Sequence, residues 1–162
     1  MGAGKESRGI MRLYQFCKTE IVMITKPEES KEAQEYLSEV IEGLLEEIRL
    51  PYRKVLLSRS ELSFSSSKTY DFEVYMPSEK GYREISSLSN TGDFQSLRGN
   101  IRYKKDLLDS KEKSKYVHIL NGSCLAIDRL FAAIVENYQS FDRKIFIPQC
   151  LIKYFGGEKV IK

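Results

Sequence analysis

The chain has 162 residues, 41% hydrophobic and 30% charged, which suits one folded domain with a real core. A net charge of +3 is too small to argue by itself for nucleic-acid binding, and no apolar run approaches the ~20 residues that span a bilayer. Three scattered cysteines (Cys17, Cys124, Cys150) without Cys-x-x-Cys spacing read as reduced thiols, and the single histidine, His118, excludes a multi-histidine metal site.

Residues 1 to 9 form a glycine-rich basic loop. Gly2-Ala-Gly4-Lys5 is not a phosphate-binding P-loop, because Glu6 follows the lysine and no strand precedes it. The stretch has no apolar h-region, so no secretory signal is expected and the cytoplasm is the expected compartment. Arg12 to Glu20 reads as a strand with alternating faces. One face carries Arg12, Tyr14, Phe16, Lys18 and Glu20; the other carries Met11, Leu13, Cys17, Thr19, Ile21 and Met23, with Gln15 as a polar exception. The first face suits a binding floor, with Arg for phosphate, Phe for a flat ring and Glu for an ammonium group. It equally suits an ordinary half-solvated strand.

Pro27-Glu-Glu-Ser opens a helix, since proline and acids favour the first turn. Its apolar stripe is Ala33, Leu37, Val40, Ile41, Leu44, Leu45 and Ile48, and its acidic run is a solvated face. Leu50-Pro51 ends it. Tyr52 to Leu57 is a strand, followed by an ordered serine-rich loop from Ser58 to Ser67. The next strand puts Tyr70, Phe72, Val74 and Met76 on one face and Asp71, Glu73 and Tyr75 on the other. Pro77-Ser-Glu-Lys-Gly81 is turn chemistry, and Tyr82 to Ser89 returns as an antiparallel hairpin. Lys104 to Lys115 is a charged surface loop. Tyr116 to Ser123 is a strand leading into a helix, with Ser123 as its N-cap and Leu125, Ile127, Leu130, Phe131, Ile134 and Val135 largely buried.

Four separated stretches resemble the seryl-tRNA synthetases, class II aminoacyl-tRNA synthetases. Ile10-Met-Arg-Leu-Tyr-Gln-Phe-Cys-Lys-Thr-Glu20 resembles the end of their motif 2, an Arg, then His-Gln-Phe, then Lys-Val-Glu. Lys68-Thr-Tyr-Asp-Phe-Glu-Val-Tyr-Met-Pro-Ser78 and Tyr82-Arg-Glu-Ile-Ser-Ser-Leu-Ser-Asn90 are similar to their hairpin. Asp93-Phe-Gln-Ser-Leu-Arg-Gly-Asn-Ile-Arg-Tyr103 follows the same family, with Leu97 in place of an Arg. Leu120-Asn-Gly-Ser-Cys-Leu-Ala-Ile-Asp-Arg129 resembles motif 3, with Cys124 and Asp128 in place of glycines. Cys124 is expected to add a side chain beside the pocket. Ile145 to Gly157 resembles the family's terminal stretch.

The resemblance implies an α+β fold, an antiparallel sheet flanked by helices, and a ligase of protein biosynthesis that is ATP-binding. Serine and ATP with Mg²⁺ give seryl-adenylate, and the seryl group passes to tRNA(Ser). It implies that Glu84 and Arg129 are catalytic, with Arg12, Phe16, Glu84, Ile85, Ser86, Ser87 and Arg129 around ATP. Glu84 and Ser87 hold the metal, while Glu20, Asn121 and Ser123 hold serine. Positions three apart on a strand face opposite ways, so Glu84 and Ser87 can share a metal only if the strand bulges or ends between them. Lys5 and Arg8 are candidates for motif 2 loop contacts.

The family's tRNA-gripping helical arm, its motif 1 homodimer interface, and the first half of motif 2 have no counterpart in this sequence. The expectation is one partial catalytic domain over 1–162, beginning within motif 2 and incomplete at its N-terminal side. Such a sheet exposes an edge, and the chain alone is expected to be nearly inactive. Two other readings remain open: a synthetase-like ligase that loads an amino acid onto a carrier protein, and a catalytically silent fragment that binds a nucleotide or partner. Glu20, Asn121 and Ser123 favour serine.

Overall fold

The computed structural model describes residues 9–105, 111 and 113–161. Lys5 and Arg8 lie outside these residues. β1 (Lys18–Thr25) leads through a 3₁₀ turn at Pro27–Glu29 into α1 (Ser30–Ile48). β2 (Tyr52–Leu56), β3 (Lys68–Met76) and β4 (Gly81–Asn90) follow, then the short α2 (Phe94–Gly99). β5 (Arg102–Tyr103) pairs with β6 (Lys115–Tyr116), and β7 (His118–Ala126) runs into α3 (Ile127–Tyr138). β8 (Ile145–Phe146), a 3₁₀ segment at Gln149–Phe155 and β9 (Val160–Ile161) end the described chain.

Five strands make one antiparallel sheet in the order β1-β7-β4-β3-β2, so the fold is α+β as the sequence implied. The core lies on one face of it. There Leu37, Ile41, Leu45 and Ile48 of α1 meet Phe72, Val74, Met76, Leu88 and Leu120 from the strands, with Ala132 and Ala133 from α3. Each such large side chain stabilises by about 1.5–3 kcal/mol on burial. The opposite face carries Glu20, Asp71, Glu73 and Asn121, along with the exposed apolar side chains Val22 and Ile24 at the β1 edge. Gly122 keeps β7 close to β4: a Cβ there would lie 3.0 Å from the Leu88 backbone and from the Ser87 carbonyl.

α1 starts behind Pro27 and the acids Glu28, Glu29 and Glu32, which complement the helix dipole. It stops at Arg49, a left-handed C-cap (φ 60°) whose N–H returns to Glu46 and Leu45. Its buried face also differs from the expected stripe. Gln34 and Ser38 are buried, whereas Val40 is exposed. Gln34 earns its place by donating Nε2 to the Lys68 carbonyl at 3.1 Å and to the Leu88 carbonyl at 3.4 Å.

Three expected boundaries are corrected. The strand expected over Arg12–Glu20 begins at Lys18 instead, because β1 is an edge strand paired with β7 alone. Lys18 sits opposite Ala126, and beyond Ala126 the partner has become α3, so residues 12–17 find no ladder there. Ser123 is not an N-cap: β7 continues three residues further, and Ala126 precedes the helix without a side-chain cap. α3 is not buried all round either. Ile127 is 42% and Phe131 60% exposed, and Leu125 belongs to the strand.

Candidate functional site

β4 carries the decisive irregularity. Phe72 pairs with Ser86 and the next residue, Glu73, pairs with Glu84, so Ile85 has no partner on β3. This bulge makes Ile85 and Ser86 buried neighbours, where strict alternation would separate them. It also places Glu84 opposite Glu73 and Ser87 opposite Asp71. Asp71 and Glu73 share a face, so Glu84 and Ser87 share it too.

β7 supplies the next groups. Ser123 pairs with Glu20 and Asn121 pairs with Val22 and Ser89, so Ser123 and Asn121 project from the same face. Ser123 Oγ donates to Glu20 Oε1 at 3.3 Å, and Lys18 forms an ion pair with the same carboxylate. Asn121 donates to Gln95 Oε1 at 3.4 Å, which in turn accepts from Thr91 at 3.3 Å.

α3 closes the other wall. Arg129 Nη1 donates to the Glu84 carbonyl at 2.6 Å, and its Nε donates to the Met11 carbonyl at 3.3 Å. One helix residue thereby joins the bulged strand to the segment that precedes β1. Asp128 Oδ2 accepts the Cys17 N–H at 2.7 Å, and the Ile127 N–H donates to the Cys17 carbonyl at 3.0 Å. Sequence reasoning missed Asp128 and Gln95 as organisers. The signals were an acid at a position where the resembled motif has glycine and a glutamine inside the family-like stretch from Asp93 to Tyr103.

These elements enclose a cavity of about 330 Å³. Arg12, Phe16, Glu84, Ile85, Ser123 and Arg129 line it, together with Lys18 and Asp128. Arg12 and Phe16 reach it from irregular backbone and not by strand alternation. Phe16 is 59% exposed, an open ring surface, whereas Tyr14 projects wholly into solvent. A second, more polar hollow of about 250 Å³ shares Met11, Glu84 and Arg129 and adds Glu73, Tyr82 and Arg83.

Glu20, Asn121 and Ser87 stand on the site face without lining the first cavity. Ser86 does not open toward it: it is buried and its hydroxyl donates to the Ser123 carbonyl at 2.5 Å, so its hydroxyl holds β7 to β4. Cys124 also departs from expectation. It packs against the hydrophobic core and not beside the cavity, and burial pushes its thiol pKa up.

The electrostatics are uneven. Glu84 has an exposed tip, yet the protein around it removes enough water to raise its carboxyl pKa; Asp71 adds to the rise and Arg129 opposes it. Asp71 is raised by burial, opposed by a hydrogen bond from Ser87, and its Oδ1 is buried without a partner. Among the described residues no group of three or more His, Cys, Asp or Glu could hold a metal by itself. An under-neutralised carboxylate beside a hydroxyl and an orphaned oxygen fits Mg²⁺, which takes one or two protein oxygens and completes its shell with water and phosphate. No helix of the described residues is long and apolar enough to cross a membrane.

A bulged hairpin and a strand-to-helix junction walling one cavity on an antiparallel sheet define a class. Residues 3–138 match the tRNA synthetase class II core domain (G, H, P, S and T), and the chain belongs to that family. Within it, the similar proteins are serine–tRNA ligases. The ligase of Staphylococcus carnosus is 53% identical over 159 residues, covering 98% of this chain and 36% of that protein. The ligase of Mycoplasmoides gallisepticum is 51% identical over 158 residues, 98% of this chain and 37% of that one. The chain therefore spans about a third of the length of these relatives. The crystal structure of seryl-tRNA synthetase from Pyrococcus horikoshii complexed with ATP superposes with a TM-score of 0.92 at 40% identity, over 99% of this chain and 35% of that one. The cytoplasmic serine–tRNA ligase of Naegleria fowleri in complex with AMP gives 0.87 at 33% identity, over 95% and 36%.

Proposed function

We propose that this chain is one partial catalytic domain, residues 1–162, of a cytoplasmic serine–tRNA ligase acting on serine, ATP and tRNA(Ser). The observation that carries this reading is the cavity itself, where Arg12, Phe16, Glu84, Ser123 and Arg129 converge from distant parts of the sequence. Its likeness to a synthetase complexed with ATP supports it.

In the reaction, a serine carboxylate oxygen attacks the α-phosphorus of ATP and pyrophosphate leaves. The seryl group then passes from the adenylate to a tRNA hydroxyl, releasing AMP. The residues work by positioning and charge neutralisation. Phe16 offers its open ring to the adenine, with Arg12 beside it. Arg129, fixed by its bond to the Glu84 carbonyl, turns its remaining guanidinium donors to phosphate oxygens. Glu84 and Ser87, brought to one face by the bulge, would hold Mg²⁺, which supplies further charge neutralisation on the phosphates. Glu20 exchanges Lys18 for the serine ammonium, and Ser123 and Asn121 meet the hydroxyl end. Assembly as a homodimer belongs to the same reading.

Serine-dependent ATP–pyrophosphate exchange tests it, measured in a chain extended to the length of the relatives. Glu84→Ala and Arg129→Ala are each expected to lower exchange by about 100-fold or more, the scale of one lost preorganised charge. Near-parent exchange in either variant sinks the assignment. The 162-residue chain alone is expected to bind ATP weakly and to exchange far more slowly than the extended one.

A further inference from the structure

Asp128 stands where the resembled motif 3 carries glycine, and it is the acid in the first turn of α3. Its carboxylate reaches a backbone N–H 111 residues away, that of Cys17, at 2.7 Å. The residues on either side of it in the helix work on the same segment. Ile127 N–H binds the Cys17 carbonyl at 3.0 Å, and Arg129 Nε binds the Met11 carbonyl at 3.3 Å. Three consecutive residues thus hold both ends of the stretch from Met11 to Cys17.

That stretch needs such support. It lies before the first ladder pair of β1, and residues 12–17 are exposed throughout. Arg12 and Phe16, which line the cavity, belong to it. Of the three bonds, the one from Ile127 uses backbone alone and the one from Arg129 uses a side chain already assigned to phosphate. The bond at Cys17 N–H depends on the Asp128 side chain, and a glycine cannot make it. An N–H bonded to a carboxylate is roughly twice as strong as a neutral pair. The start of a helix is also where an anion is favoured.

We propose that Asp128 is a positioning residue: it docks the Met11–Cys17 segment on α3 and thereby fixes the Phe16 and Arg12 wall of the nucleotide cavity. The nucleotide half of this inference rests on the function proposed above; the docking half does not.

The test uses the 162-residue chain with Asp128→Ala and Asp128→Gly, which remove the acceptor, and Asp128→Asn, which keeps one. Amide exchange followed by NMR reads the docking directly. The Cys17 N–H is expected to exchange at least tenfold faster in Asp128→Ala and Asp128→Gly, and within about threefold of the parent in Asp128→Asn, while β3 amides keep the parent rate. Titration with Mg²⁺–ATP is expected to give at least tenfold weaker binding in the first two variants and a change within about threefold in the third. A parent-like Cys17 exchange rate in Asp128→Gly overturns the docking. Equal loss of ATP affinity in Asp128→Gly and Asp128→Asn overturns the positioning role. Absence of ATP binding by the parent chain overturns the nucleotide reading, and the exchange rates then decide the docking alone. Should Asp128→Ala not fold, Asp128→Gly carries the comparison.

Discussion

The β3–β4 hairpin and the Met11–Cys17 segment wall the same cavity but are built on different principles. The hairpin is paired from Lys68↔Asn90 to Met76↔Gly81 with one bulge at Ile85, and it buries Phe72, Val74 and Met76 on its core face. The segment has no ladder and is fastened to α3 by a few bonds at its ends. Glu84 and Ser87, proposed above to hold a metal, are placed by sheet register, which fails only when the domain unfolds. Arg12 and Phe16, proposed above to face the base, are placed by local fastenings, which can fail while the domain stays folded. Stability and ligand affinity should therefore come apart between the two regions.

Phe72→Ala is the largest expected effect. The ring is fully buried, so its loss should cost about 3–5 kcal/mol in denaturant unfolding and remove ligand binding along with the fold. Phe16→Ala should do the reverse. Stability should change by less than about 0.5 kcal/mol, while ATP affinity falls by the ~1–3 kcal/mol typical of one lost base-stacking ring. A Phe16→Ala chain that melts far earlier than its parent would break the comparison.

Glu84→Gln probes a carboxylate on the hairpin that the fold holds at a cost, as it does Asp71. The folded state raises the Glu84 carboxyl pKa, chiefly by burial, so the fold binds that proton more tightly than the unfolded chain. The stability tied to it is present below the ordinary glutamate pKa and is lost as pH rises through the raised value. At pH 7.5 the ligand-free glutamine variant should thus melt higher than the parent, and the two curves should meet below about pH 4. A parent that is the more stable at pH 7.5 contradicts the sign. Tyr14→Ala is the smallest: its side chain projects wholly into solvent, so melting should be unchanged and ATP affinity should stay within about twofold.

Much of this was legible in the sequence because it is local. The alternation of β3, the turn at Pro77-Ser-Glu-Lys-Gly81 and the end of α1 before Leu50-Pro51 are set by neighbours along the chain, and the structure keeps them. A bulge or strand end between Glu84 and Ser87 was also readable as a condition: parity requires one if the two are to share a metal, as the family resemblance implies. What the sequence hid depends on partners far away. The true start of β1 is decided by where β7 turns into α3, 108 residues beyond Lys18 at Ala126. The burial of Gln34 and Ser38 depends on carbonyls and acids that no hydropathy pattern contains. Ser86 reads like Ser87, but the bulge turns one inward and leaves the other on the site face.

The unpaired Ile85 also changes what a one-residue deletion does in this strand. Removing it would leave every ladder pair in place: Glu84 would still stand opposite Glu73, Ser86 opposite Phe72 and Ser87 opposite Asp71. Glu84 and Ser87 would therefore keep one face, now by plain alternation. What would go is a side chain only 1% exposed, and with it the local bend and added twist that a bulge gives its strand. The extra residue thus sets how the two groups are angled toward each other, while the ladder sets which way they face.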